Sequence, residues 1–157
     1  MSAPPLLEVE QVTKTYHLPG QDVPALRGVD LRIESPGFYA IMGPSGSGKS
    51  TLMHLCAAMD APDTGSIRVA GTELSELDEA GRTNFRRRGM GIVFQQFNLV
   101  PTLTALDNVA LPALLDGESE TSRNDRAMKL LIEMGLEDRA SHLSLIHISE
   151  PTRRSMI

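Results

Sequence analysis

Gly43-Pro44-Ser45-Gly46-Ser47-Gly48-Lys49-Ser50-Thr51 has the form G-x-x-x-x-G-K-[ST]. Glycines at 43, 46 and 48 let the main chain curl with no Cβ in the way. Backbone N–H groups can then face inward, aided by the positive end of a following helix, and together they cradle a phosphate. In this P-loop pattern the Lys49 ammonium reaches the β- and γ-phosphates of a nucleoside triphosphate, and the Ser50 hydroxyl ligates Mg²⁺. The candidate phosphate-binding residues are therefore Gly43, Ser45, Gly46, Ser47, Gly48, Lys49, Ser50 and Thr51, with Lys49 also the first candidate for a catalytic role. The alternative is a Gly/Ser-rich linker, and the flanks speak against it. Phe38-Tyr39-Ala40-Ile41-Met42 is a short apolar run ending where the loop starts, and Leu52, Leu55, Cys56 and Met59 recur at helical spacing after it. Strand, loop and helix form the context the motif requires.

Two residues outside the loop have side chains suited to the same ligand. Tyr16 lies upstream on an expected strand, where its ring would stack on a base or serve as an ordinary strand-end aromatic. Gln95 ends a second apolar run, Gly91-Ile92-Val93-Phe94. Its amide would touch Mg²⁺ or the attacking water, or simply be solvated.

The other reactive side chains carry less. Cys56 falls on the apolar face of the expected helix, as a small hydrophobe does, and a lone cysteine makes no disulfide framework. His142 and His147 have no carboxylate or cysteine arrangement beside them. Arg82, Arg86, Arg87 and Arg88 form either a basic patch for phosphate or lipid, or a solvated face balanced by Glu73, Glu76, Asp78 and Glu79.

The elements that must position these groups follow from periodicity and punctuation. Residues 1–5 read as a tail and 6–14 as a first strand. The stretch 17–24, with two prolines and a glycine, reads as a loop. Val29, Leu31 and Ile33 alternate with polar residues as in a half-buried strand. Ser35-Pro36-Gly37 is a turn, and the segment 60–65 ends the loop helix. Ile67 and Val69 mark another strand, and 75–88 is polar and helix-like. After the run ending at Phe94, Phe97–Pro101 is a loop. A helix starts near Leu103 and is broken or kinked at Pro112. The segment 116–122 is a polar loop. Ala127, Leu130, Leu131 and Met134 then specify a helix closed by Gly135.

The bulk numbers agree with a folded domain. The chain has 157 residues, 41% of them hydrophobic, enough for one core. A net charge of −5 gives no basic field for nucleic acid. No apolar run approaches the ~18 residues of a membrane span, and the N-terminus lacks the form of a signal peptide. The expectation is a cytoplasmic chain whose membrane role, if any, runs through a partner.

The sequence resembles the ATP-binding subunit of an ABC transporter. The residues that carry the resemblance are Tyr16, the segment from Pro24 to Leu31, Ile41 through Met53, and the block from Val93 to Val109 (VFQQFNLVPTLTALDNV). The last block is similar to the subgroup serving lipoprotein-releasing, macrolide-export and peptide-export systems. The resemblance runs from residue 6 to about 143. It implies an α/β fold of the P-loop NTPase type: an N-terminal antiparallel β portion, an incomplete RecA-like core, and part of a helical subdomain over about 103–143. It gives Tyr16 the adenine-stacking role, Gly43–Thr51 the Walker A role, and Gln95 a role on Mg²⁺ and the γ-phosphate. It implies ATP and Mg²⁺ as cofactors and a second copy of the subunit. It also implies a membrane permease contacted near Phe97–Leu103, with the chain peripheral on the inner face of the membrane. The transported substrate is not legible.

The chain departs from the family after Leu143. The L-S-G-G-Q signature, the Walker B strand with its Asp-Glu pair, the D-loop and the switch histidine are absent from the sequence. Ser144 to Ile157 contains no Gly and a single acid, Glu150. Leu145 to Arg153 looks like a translated sequencing-adaptor tail; a divergent C-terminus is the alternative. The expectation is a truncated cassette that binds ATP and hydrolyses it poorly. A P-loop kinase and a non-catalytic ATP-dependent binding module are the other readings.

Overall fold

The computed structural model describes residues 4–143. The expected tail at 1–5 falls largely outside these residues, and the segment 144–157 falls wholly outside them. The chain divides into two units, Met1–Ile92 and Val93–Ile157.

The first unit is built on a long antiparallel hairpin, β1 (Leu7–Leu18) and β2 (Gln21–Ile33). β3 (Thr64–Val69) and the short β4 (Thr72–Glu73) complete a four-stranded sheet in the order β2-β1-β3-β4. The stretch 17–24, expected as a loop, is the tip of this hairpin: His17 pairs with Asp22 and Leu18 with Gln21. Its prolines are accommodated because β2 is an edge strand, so Pro24 can sit within it without depriving a second neighbour of a ladder hydrogen bond.

The period-2 alternation of β1 is read out on both faces. Val9 stands opposite Leu31 and Ile67, and Leu7 opposite Ile33 and Val69. On the alternate positions an ion-paired row crosses every strand: Arg32 pairs with Glu8, Glu8 with Arg68 at 3.0 Å, and Arg68 with Glu73 at 2.9 Å. Opposite charges facing one another across neighbouring strands favour this register over a slip.

The hairpin is not regular. Gln11 has a φ of 48° at a register shift, and its backbone N–H donates to Asp30 Oδ1 at 2.8 Å. A second irregularity lies between Lys14, which pairs with Leu26, and Thr15, which pairs with Pro24; Ala25 is left as the extra residue of a bulge.

α1 (Lys49–Cys56) packs Leu52 and Leu55 into a core with Val9, Val12, Leu26, Ala58, Ile67 and Leu74. It ends sooner than the apolar spacing suggests, because Ala58 turns to a φ of 52° and the Ala58 and Met59 N–H groups close on Leu55 O and His54 O. Met59 is therefore off the helix and exposed. α2 (Glu79–Gly89) is capped by Asp78, which accepts from Gly81 N. Its Arg82 and Arg86 pair with Glu79, and Arg86 also donates to the Ala58 carbonyl at 2.5 Å. The charge balance expected of that arginine run is present at these two side chains, but they are not a solvated face: Arg82 is 17% and Arg86 26% exposed.

Two expected strands are not strands. Phe38–Met42 and Gly91–Phe94 are irregular, with Phe38 97% and Val93 99% exposed. A strand is stable only when neighbours complete its hydrogen bonds and cover its faces. Among the described residues the sheet offers neither segment a partner.

The second unit is a helical pair. Thr104 and Asp107 form a reciprocal capping box that starts α3 (Ala105–Leu115). α3 runs through Pro112 rather than ending there. α4 (Glu120–Glu133), capped by Ser119, ends in a Schellman turn at Gly135, as the sequence reading places it: Gly135 N bonds Ile132 O and Leu136 N bonds Leu131 O. Among the described residues of this unit, Ala110, Ala127, Leu131 and Ala140 are buried. Among the described residues no helix is long and apolar enough to cross a membrane.

Candidate phosphate-binding loop and its flanks

Gly43–Gly48 forms a tight turn that runs directly into α1, with Lys49 as the first helical residue. Gly48 is the N-cap, at a φ of 84°. A glycine has no side chain to cap the helix, and no side chain caps it here. The first turn also holds no acidic residue. Its N–H groups, which have no intrahelical acceptor, therefore remain available to an outside anion.

The loop folds around the lysine. Lys49 Nζ donates to Pro44 O at 2.5 Å and to Ser47 Oγ at 3.2 Å. The ammonium is thus held on the loop side of the helix start, against uncharged acceptors. Neutral contacts of this kind are exchanged readily for a doubly charged phosphate oxygen set. Ser45, Gly46, Ser47 and Ser50 are exposed along the same turn, and Thr51 is half-buried behind them.

The hairpin holds this loop in place. A Cβ on Gly48 would lie 2.5 Å from the Ala25 carbonyl oxygen and 2.9 Å from Leu26 Cδ2. The loop therefore rests on the β2 bulge. Tyr16 lies on the same hairpin, paired with Val23. Its ring is half-buried, with Lys14 Nζ 5.6 Å from its centroid.

Gln95 belongs to the second unit, where it is exposed on irregular chain. Phe97, Leu99 and Val100 are exposed on the same segment. Asn108 anchors the end of that segment, accepting from Val100 N at 2.8 Å and donating to Val100 O and Thr104 O.

Among the described residues no group of three or more His, Cys, Asp and Glu is placed to hold a metal. The donors on offer to a cation beside the loop are hydroxyls, Ser50 first. That chemistry suits a hard, oxygen-seeking ion that brings phosphate oxygens and water of its own. Cys56, below the loop on α1, has its thiol pushed up by burial to about 11 and is inert at neutral pH.

Sequence reasoning did not find Lys14, nor the seat of Gly48 on Ala25. Lys14 was legible in principle, since positions i and i+2 of a strand share a face. The bulge at Ala25 has no comparable signal.

The chain is similar to known proteins. The chain is 44% identical over 142 residues to the macrolide export ATP-binding/permease protein MacB of Marinobacter nauticus, covering 90% of this chain and 22% of that one. It is 40% identical over 138 residues to the lipoprotein-releasing system ATP-binding protein LolD of Hyphomonas neptunium, covering 88% and 60%. Among solved structures it is similar to the ATP-binding cassette MJ0796 in a dimeric post-hydrolysis state bound to ADP and Pi. That likeness has a TM-score of 0.79 at 39% identity and covers 88% of this chain and 61% of the other. The chain thus spans less than two thirds of the length of each of these relatives. The sequence model of the ABC transporter family matches residues 26–155, which takes in the bulge's Leu26, the whole phosphate loop, α1 and the helical pair, and the chain belongs to that family.

Proposed function

We propose that the chain binds Mg²⁺-ATP at Gly43–Thr51 and is the nucleotide-binding part of a transporter of the lipoprotein-releasing or macrolide-export kind. The observation that carries this is the start of α1: a helix N-terminus without side-chain cap or acid, wrapped by a loop whose lysine is held on uncharged acceptors. Such a site is complementary to a polyphosphate.

In this reading the loop N–H groups and Lys49 hold the β- and γ-phosphates and Ser50 would hold Mg²⁺, while the role of Gln95 on that ion is carried by the family resemblance alone. The ion, when bound, would neutralise charge on the phosphate oxygens. Tyr16 stacks on adenine. The exposed segment Phe97–Leu103 meets a separate membrane permease, and a second copy of the subunit completes the motor on the cytoplasmic face. The name of the MacB relative, an ATP-binding/permease protein, supports coupling to a permease, and the dimeric MJ0796 structure supports the second copy.

Titration of the chain with a fluorescent ATP analogue and Mg²⁺ tests the reading. Saturable binding is expected, reduced about 10- to 100-fold by Lys49→Ala, the worth of a charge-assisted hydrogen bond or two. Tyr16→Ala should weaken ATP without weakening Mg²⁺-triphosphate. Equal binding by the parent and Lys49→Ala would overturn the assignment of the loop.

A further inference from the structure

Lys14 is a charged side chain that the phosphate site does not use. It is only 13% exposed. Its ammonium donates to Asp60 Oδ1 at 3.0 Å and to the Ala61 carbonyl at 2.7 Å, with Asp60 Oδ2 at 2.9 Å and Asp63 Oδ1 at 3.8 Å. These acceptors all belong to the segment that leaves α1. That segment is itself strapped to β1: Asp63 N donates to Thr13 O at 2.9 Å, and Asp63 Oδ2 accepts from Thr15 N at 2.6 Å.

Lys14 and Tyr16 are two apart on a strand and share a face. Lys14 Nζ lies 5.6 Å from the Tyr16 ring centroid, within reach of a cation–π contact. The ammonium is fixed by three protein acceptors, so it cannot wander from the ring. It occupies one side of the ring and leaves the other without it.

We propose that Lys14 is a positioning residue for the Tyr16 ring, holding it for stacking with the base of a bound nucleotide, and that it ties base recognition to the segment following α1. The proposal rests on the base-stacking reading of Tyr16. A ring already fixed loses less freedom when a base stacks on it, so the gain appears in base affinity and not in phosphate affinity. A lysine acting on the phosphates would show the reverse.

The test is affinity of the 157-residue chain for Mg²⁺-ATP and, separately, for Mg²⁺-tripolyphosphate. Variants are Lys14→Met, Lys14→Gln, Lys14→Arg, Tyr16→Ala and the Lys14→Met/Tyr16→Ala double change. Lys14→Gln can keep a donor for Ala61 O while placing no cation on the ring, which guards against loss of fold. Lys14→Met and Lys14→Gln should weaken ATP about 2- to 5-fold, the worth of such a contact, and leave tripolyphosphate unchanged. Lys14→Arg should restore ATP binding, and in the Tyr16→Ala background the Lys14 effect should vanish.

Parallel loss of ATP and tripolyphosphate in Lys14→Gln would overturn the proposal, as would an unchanged ATP affinity or a Lys14 effect that persists without Tyr16. If Tyr16→Ala itself leaves ATP affinity unchanged, the stacking reading fails first. If Tyr16→Ala weakens ATP and Lys14→Gln does not, only the Lys14 role fails.

Discussion

Gly48 meets Ala25 where the helix start touches the hairpin: a Cβ at Gly48 would lie 2.5 Å from the Ala25 carbonyl oxygen. Ala25 is the extra residue of the β2 bulge, lying between the pairs Lys14–Leu26 and Thr15–Pro24. The bulge thus supplies the seat on which the phosphate loop enters α1. Two constraints fall on Gly48 together, a φ of 84° and the absence of a Cβ.

Gly48→Ala should therefore be costly through both. Left-handed strain in a non-glycine residue and displacement of a backbone carbonyl each cost on the order of 1–3 kcal/mol. Chemical unfolding should show a midpoint well below the parent's with an unchanged slope, and nucleotide binding should fall even in the folded protein. Gly46→Ala is the control. It has a similar φ of 80° but open space around its Cβ position, so it should show the strain alone. Equal losses at 46 and 48 would remove the Ala25 contact from the account.

The loop itself was legible because its chemistry is written in consecutive residues. The elements that failed to appear are instructive for the opposite reason. Phe38–Met42 has the composition of a buried strand, yet composition does not provide neighbours, and among the described residues no strand pairs with it. The hairpin tip at 17–24 reads as a loop in the sequence because proline and glycine mark both loops and edge-strand turns, and which of these applies depends on sheet order. Gly135 was read correctly because a helix C-terminus is a local event, decided within six residues. The seat of Gly48 on Ala25 joins residues far apart in sequence and has no local signature. The helix carrying Arg82 and Arg86 was visible, but the Ala58 carbonyl as an acceptor for Arg86 was not.

That last bond gives a second prediction. Ala58 is wholly buried, and its carbonyl accepts from Arg86 Nη1 at 2.5 Å. Removing the donor leaves a carbonyl without that partner at the C-terminal end of the helix that carries the phosphate loop. Arg86→Met keeps most of the aliphatic stem and should cost about 1–3 kcal/mol, the desolvation penalty of a buried polar group. Thermal and urea unfolding measure it. Arg88→Met, at an exposed position of the same helix, should cost far less. Similar losses at the two positions would show that the Ala58 bond contributes little.

Cys56 supplies a pH prediction. Burial raises its thiol from 9.0 to about 11, so the folded state disfavours the thiolate. The sign follows directly: the contribution to stability is fully present below pH 9.0 and is lost as pH rises toward 11, because the unfolded chain ionises first. The difference in unfolding free energy between the parent and Cys56→Ala should stay flat to about pH 8.5. It should then shift against the parent by up to ~1.4 kcal/mol per pH unit. In the native protein at pH 8, alkylation of Cys56 should be orders of magnitude slower than in denaturant. Rapid native-state alkylation would mean that the thiol is not held in the packed environment beside Leu52 and Leu55.

Hydrolysis is the sharpest test of what the loop can do by itself. In the proposed function Lys49, Ser50 and the N–H groups of the α1 start bind and polarise a triphosphate, but none of them takes a proton from water. Attack on the γ-phosphate needs a group that orients and activates the nucleophile. The family supplies it as a glutamate following a Walker B strand, a motif that residues 1–157 do not contain. Gln95 is an amide and cannot serve as that base. The 157-residue polypeptide should therefore bind Mg²⁺-ATP and release phosphate at the background rate. Steady-state phosphate release measured beside Lys49→Ala decides it, since that variant lacks the binding ammonium and reports contaminating activity. Turnover that is present in the parent and abolished in Lys49→Ala would show that the chain carries a base of its own, and Glu and Asp residues of the first unit would then be the place to look for it.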